Sequence, residues 1–88
     1  MENQQDVLIE LKFLVRGRAF STARDTLFKQ MEENSKHGLS YGVVIMVSDN
    51  GKGWFADEKD RILQNENITE VDSAFEGDLF AVGVYRHE

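Results

Sequence analysis

The sequence predicts a small α+β domain, a two-layer sandwich in which helices cover one face of an antiparallel or mixed sheet. Three features indicate this class: strict alternation of side chains from Val7 to Arg16, a capped amphipathic segment from Thr22 to His37, and the apolar run Val43 to Val47. A chain of 88 residues supports one modest core and not two, so we expect a single domain over residues 1–88.

The first strand and the first helix have clear signals at both ends. Apolar residues occupy every second position of the first strand, which predicts a buried face of Val7, Ile9, Leu11, Phe13 and Val15. Ser21 and Thr22 are candidate N-caps, and Gly38 is a candidate left-handed stop for the helix. The residues that we expect in the core include Phe13, Phe28 and Val44.

The second half of the chain predicts further strands and a short helix. A strand is expected over Tyr41–Ser48, followed by an Asn50-Gly51 turn and a third strand around Gly53–Ala56. The remaining predictions are a helix over Asp57–Gln64 and a closing hairpin of Ile68–Phe75 and Leu79–Arg86. This order is typical of a ferredoxin-like, split βαβ sandwich, with strands one and two parallel and another strand able to insert between them. Ile68–Phe75 is extra to that pattern and is either an edge strand or an irregular loop.

Composition and charge exclude several classes of function. The chain has 10 Lys+Arg against 16 Asp+Glu and a net charge of −6, all of it in residues 45–88, so it lacks the basic footprint of a nucleic-acid-binding protein. The absence of cysteine excludes disulfides, a thiolate nucleophile and a Cys-containing metal site, and favours a cytoplasmic setting. No apolar run is long enough for a membrane span, and the polar N-terminus does not resemble an export signal. We expect no metal and no cofactor, because His37 and His87 lie at a helix end and near the chain end.

One segment has the composition of a small anion site. A strand end, a glycine and a helix N-terminus come together there with Arg16, Arg18, Ser21, Thr22 and Arg24. The segment distantly resembles the phosphate loop of the acylphosphatases, ferredoxin-like proteins of similar length that bind phosphate between the first strand and helix. The Gln-Gly-Val-x-Phe-Arg loop of that family has no counterpart here. The resemblance implies an anion-binding protein or an acylphosphatase-like hydrolase as the alternative function.

Two further groups of residues are candidate partner-binding sites. On a strand, Trp54 and Phe55 point to opposite faces, so at least one ring is expected to be exposed as an interface anchor. Five carboxylates follow within 13 residues: Glu66, Glu70, Asp72, Glu76 and Asp78. Glu70 and Asp72 would lie on one side of an extended strand, about 6.6 to 6.8 Å apart, near the spacing of successive phosphates. Such a row either imitates a polyanion such as a nucleic acid or protects a sheet edge.

The favoured function is a small acidic non-enzymatic interaction protein. It is expected to bind another macromolecule, a protein with a basic surface, and to regulate or inhibit it. The sequence contains no Gly-x-Ser-x-Gly elbow that would indicate a serine nucleophile. We also expect a homodimer, because so small a sheet has open edges and an uncovered aromatic side chain.

Overall fold

The computed structural model describes residues 6–15, 20–47, 51–76 and 80–88. The elements in chain order are β1 Asp6–Val15, α1 Phe20–Ser35, β2 Gly38–Val47, α2 Gly51–Leu63, β3 Ile68–Glu76 and β4 Phe80–His87. The four strands form one sheet in the order β1-β2-β4-β3. β1 is parallel to β2, and the β2–β4 and β3–β4 pairs are antiparallel. The predicted α+β class is confirmed, since two helices accompany a four-stranded mixed sheet.

Both helices pack on the same face of the sheet, and two glycines allow their close approach. A Cβ atom on Gly42 would lie 2.6 Å from Sδ of Met31 in α1, and a Cβ atom on Gly83 would lie 2.7 Å from Cζ of Phe55 in α2. The two glycines share a face because Val44, two residues after Gly42, pairs with Gly83. A side chain at either point would overlap with Met31 or Phe55, which would have to move.

The hydrophobic core lies between the helices and this covered face. Its buried members are Leu14, Leu27, Met31, Val44, Met46, Phe55, Ile62, Ile68, Ala81 and Tyr85. Phe28 packs against this cluster and is partly buried. The prediction that Val44 is a core residue is therefore confirmed, and Phe28 lies at the margin of the core.

The predicted third strand is wrong, because Gly53–Ala56 belongs to α2. Phe55, Glu58 and Ile62 recur at spacings of three and four residues and are all buried, which is the inward face of a helix. Since the middle residue of this face is a glutamate, the sequence does not show it as an apolar stripe. The helix predicted over Asp57–Gln64 is confirmed over residues 57–63. These residues are the C-terminal part of α2, which begins earlier than predicted, at Gly51.

The ferredoxin-like arrangement is not confirmed. β1 and β2 are parallel, as predicted, but they are hydrogen-bonded neighbours over their whole length, with no strand between them. β4 pairs instead with the other side of β2, and β3 lies at the far edge of the sheet. The segment Ile68–Phe75 is thus an edge strand, one of its two predicted alternatives.

The face of β1 that the sequence assigned to the core is the uncovered one. Leu14 is 3% exposed and pairs with the fully buried Met46, whereas the neighbouring Phe13 is 60% exposed. The covered face of β1 includes Glu10 and Lys12, whose Oε2 and Nζ atoms lie 3.3 Å apart and which are both half-buried. The prediction that Phe13 is a core residue is wrong. The helices cover the face of β2 that contains Met46, and the β1 residue paired with Met46 is Leu14, so Phe13 lies on the uncovered face.

Substitutions at Phe13 and Leu14 should separate the two faces of β1. Leu14→Ala is expected to lower the free energy of unfolding by about 2 to 5 kcal/mol, because it leaves a cavity in the core. Phe13→Ala removes a larger but mostly exposed side chain and should cost less than about 1 kcal/mol. Urea unfolding at low protein concentration, where contacts between molecules do not contribute, measures both. Equal losses would contradict this assignment of the faces.

Candidate functional site

The sheet face opposite the helices is the main candidate site, and we call it the open face. Side chains take alternate faces along each strand, so the register assigns the positions of this face. They are Val7, Ile9, Leu11 and Phe13 on β1, Leu39, Tyr41, Val43, Ile45 and Val47 on β2, Phe80, Val82, Val84 and Arg86 on β4, and Thr69, Asp72 and Ala74 on β3. The described part of the structure contains no element that covers this face.

Apolar side chains run continuously across three strands of the open face. The four β1 residues of this face are 49 to 62% exposed, since β1 is an edge strand. The register then aligns Leu11, Val43 and Val84 in one row across the sheet. Neighbouring rows hold further apolar residues, so the patch resembles half of a sheet-on-sheet core.

The dimensions of the open face are those of a protein interface. Four strands spaced about 4.8 Å apart, with about nine residues each at about 3.3 Å, give a face of roughly 19 by 30 Å. The whole face is about 570 Å² in projection and its three apolar strands about 430 Å², which is within the range of the largest apolar patch on a typical monomer, and patches of that size are often functional.

Few charged residues lie on the open face, and Arg86 is the one cation among its described positions. Arg86 is on the inner strand β4, between Tyr41 and Thr69 in the register. Its Nε atom is buried and has no hydrogen-bond partner, and Arg86 makes no ion pair within the described residues. Asp72 lies one row away on β3, where its Oδ1 accepts a hydrogen bond of 2.8 Å from the backbone N–H of Ser73. The face therefore carries an unpaired cation and an exposed carboxylate on adjacent strands.

The structure divides the predicted row of carboxylates. A register shift between Glu70 and Asp72 makes Val71 an extra residue, so Glu70 pairs with Tyr85 on the covered face and Asp72 pairs with Val84 on the open face. The prediction that Glu70 and Asp72 share a side is wrong, because a bulge reverses the alternation. Glu66 is exposed ahead of β3, Glu76 is the last residue of β3, and Asp78 lies outside the described residues.

The aromatic pair does not form the predicted strand site. Phe55 is 1% exposed and belongs to the core, so it does not offer a surface to a partner. Trp54 lies on α2, and its side chain is outside the described part of the chain. The expectation of an exposed ring depended on a strand, and a helix places consecutive side chains about 100° apart instead of on opposite faces.

The candidate anion site is only partly within the described residues. Arg16 and Arg18 lie outside them, and Ser21 and Thr22 are exposed in the first turn of α1. Nη1 of Arg24 donates to both carboxylate oxygens of Glu58, at 2.8 and 2.7 Å. Arg24 thus joins α1 to α2 and is not free to bind an anion.

A buried polar cluster lies where the two helices meet the sheet. The side chain of Glu58 is 1% exposed, and Nη1 of Arg61 lies 4.0 Å from its Oε1. Tyr85 is fully buried, and its hydroxyl has no hydrogen-bond partner within the described residues. Burial raises the pKa of Tyr85, and the negative charges of Glu70 and then Glu58 raise it further. Glu58 and Tyr85 are closed off from solvent, so we interpret this cluster as packing between helices and sheet and not as a reaction site.

The described residues show neither a metal site nor a membrane-spanning helix. They contain no group of three or more His, Asp or Glu side chains arranged to hold a metal ion. Neither α1 nor α2, the helices that the structure describes, combines the length and the apolar character needed to cross a membrane. The open face is therefore the strongest functional feature in the described part of the chain.

Sequence analysis did not identify the open face, although one signal was present. The run Val43 to Val47 places apolar side chains on both faces of β2, which indicates a strand that needs cover on both sides. Because alternation alone does not show which face the helices take, the uncovered one was not identified.

Breaking the Arg24–Glu58 pair should destabilise the fold. Arg24→Met is expected to lower the free energy of unfolding by about 3 kcal/mol, because it leaves the buried Glu58 without its cation. Removing both charges with Arg24→Met and Glu58→Leu should recover most of that loss. As a control, Lys36→Met breaks an exposed pair with Glu33 and should cost less than about 1 kcal/mol. A double variant no more stable than the single one would contradict the assigned role of the pair.

Tyr85 should make stability depend on pH in the alkaline range. Its pKa is raised in the folded state above the ordinary value of 10.0, so above about pH 10 the unfolded chain releases a proton that the folded chain retains. The free energy of unfolding of the wild type should therefore fall, relative to Tyr85→Phe, as the pH rises from 8 to 10.5. At neutral pH the variant should be equally or more stable, since it loses an unpaired hydroxyl. Urea unfolding of both proteins across this range measures the difference, and parallel pH profiles would contradict it.

Comparison with known proteins does not identify a relative of this chain. No family model, no curated protein sequence and no solved structure matches the chain. A function for the chain therefore has to be argued from its own side chains.

Proposed function

We propose that the chain is a non-enzymatic interaction protein that binds another protein through the open face of its sheet. The observation that carries this proposal is the continuous apolar patch, in which β1 alone presents four side chains that are 49 to 62% exposed. Exposed aliphatic and aromatic area of this extent is costly in water and favourable at an interface.

The chemistry of the open face restricts what can bind there. An occupant of the β1 and β2 rows has to be apolar, because a charged group buried against Leu11 or Val43 would lose its hydration without gaining a partner. The β3 border carries the exposed carboxylate of Asp72, and the whole chain has a net charge of −6. Basic residues around an apolar centre would suit this acidic border, and they would increase the rate of association by steering.

Occupation of a partner's surface is the mechanism by which such a protein would act. Binding through a patch of this size hides an equal area of the partner from its other ligands, which supports a regulatory or inhibitory role. The absence of cysteine from the sequence supports a reducing, cytoplasmic setting for this activity.

A three-bait experiment tests the proposal. Wild type, Leu11→Lys and Ala56→Lys are used to capture partners, which mass spectrometry identifies and calorimetry then titrates in purified form. Leu11 is at the centre of the exposed β1 row, and Ala56 is an exposed position on α2, so the two variants add the same charge on opposite sides. We expect Leu11→Lys to weaken binding of the purified partner at least tenfold and Ala56→Lys to leave it within about twofold. Equal affinities for wild type and Leu11→Lys would contradict the proposal.

A further inference from the structure

We propose that the open face binds a second copy of this chain, so that two protomers pack sheet against sheet about a two-fold axis. The inference rests on the proposed function, because it names the partner of that same face. In an isologous pair each protomer contributes the same surface, so an apolar face on one meets an apolar face on the other. The two helices, on the opposite face of each sheet, then remain outside the contact.

The area of the face is sufficient for a dimer. With full overlap, two faces of about 570 Å² bury about 1,140 Å² together, which is close to the roughly 1,000 Å² expected of a specific interface. Sheets that pack face to face lie about 10 Å apart, with their strands within about 30° of each other. The rows of Val, Ile, Leu and Phe side chains on β1, β2 and β4 are the composition that such packing uses.

Net charge does not oppose this contact strongly. Each copy carries −6, but the described open-face positions of β1 and β2 hold no charged residue. At physiological salt the Debye length is about 8 Å, so carboxylates on the outer surfaces of the two copies are largely screened from one another. The charged residues at the described positions of the face are Arg86 on β4 and Asp72 on β3.

Arg86 distinguishes a second copy from other occupants. A basic partner would repel this cation, and a wholly apolar partner would leave it buried without a counter-charge. A second copy supplies a carboxylate, because Arg86 and Asp72 lie on adjacent strands in neighbouring rows. A two-fold axis perpendicular to the strands and between those rows would bring Arg86 of each copy beside Asp72 of the other. The guanidinium group of Arg86, which makes no ion pair within the described residues, would then lie beside a carboxylate.

Sedimentation velocity between 1 and 100 µM at physiological salt tests the inference. The wild type should sediment as a dimer, with twice the chain mass of 10.1 kDa. Leu11→Lys should be monomeric over the same range, and its thermal transition should remain sharp, since Leu11 is 49% exposed in the protomer. This variant lowers the negative charge of each copy, so electrostatic repulsion between copies cannot explain a lost dimer. Ala56→Lys makes the same charge change on α2 and should remain dimeric.

A charge exchange tests the predicted contact between copies. Arg86→Asp and Asp72→Arg should each raise the dimer dissociation constant about tenfold, and the two changes together should restore much of the affinity. Single variants that match the wild type, or a double variant no better than either single one, would overturn the pairing of Arg86 with Asp72 across the axis.

The outcomes separate this inference from the proposed function. A wild type that is monomeric at 100 µM overturns the second copy as occupant, and so does a dimer that Leu11→Lys does not disrupt. If such a monomer binds a purified partner that Leu11→Lys loses, the proposed function stands and only the inference fails. If Leu11→Lys changes neither self-association nor partner binding, both are wrong.

Discussion

The docking of both helices on one face of the sheet is the constraint on which the rest of this structure depends. Gly42 and Gly83 leave that face without side chains at the two points where Met31 and Phe55 enter, so α1 and α2 approach β2 and β4 closely. Because a four-stranded sheet has only two faces and both helices occupy one of them, the other face is left without cover in the described part of the chain. The core and the candidate site are thus two results of the same packing choice.

A polar contact connects the two helices to each other over the covered face of the sheet. The Arg24–Glu58 pair joins α1 to α2, and the burial of Glu58 makes the pair sensitive to the loss of either partner. Tyr85 fills the space beneath them from β4, with its hydroxyl against Gly83. Since Arg24 is held in this contact, the cluster contributes to the relative placement of the helices and is closed to an anion from solvent.

The open face connects this packing to a function. The same alternation that sends Leu14 into the core sends Phe13 outward, so a well-packed protomer exposes an apolar surface of interface size. A partner that covers this surface adds buried area that an 88-residue chain has difficulty in providing alone. Arg86 makes no ion pair within the described residues, so it favours an occupant that supplies a carboxylate, as a second copy does with Asp72.

The sequence by itself determined the α+β class, the alternation of β1, the helix α1, the parallel direction of β1 and β2 and the closing hairpin. These depend on local periodicity and capping, which are encoded in neighbouring residues. It did not determine the N-terminal part of α2, which was predicted as a strand, or the bulge at Val71 that places Glu70 and Asp72 on opposite faces. Only the tertiary structure decided which face of the sheet the helices cover. Both faces of β2 are apolar, so local pattern does not distinguish them, and the choice follows from the contacts that distant helices make at glycine positions.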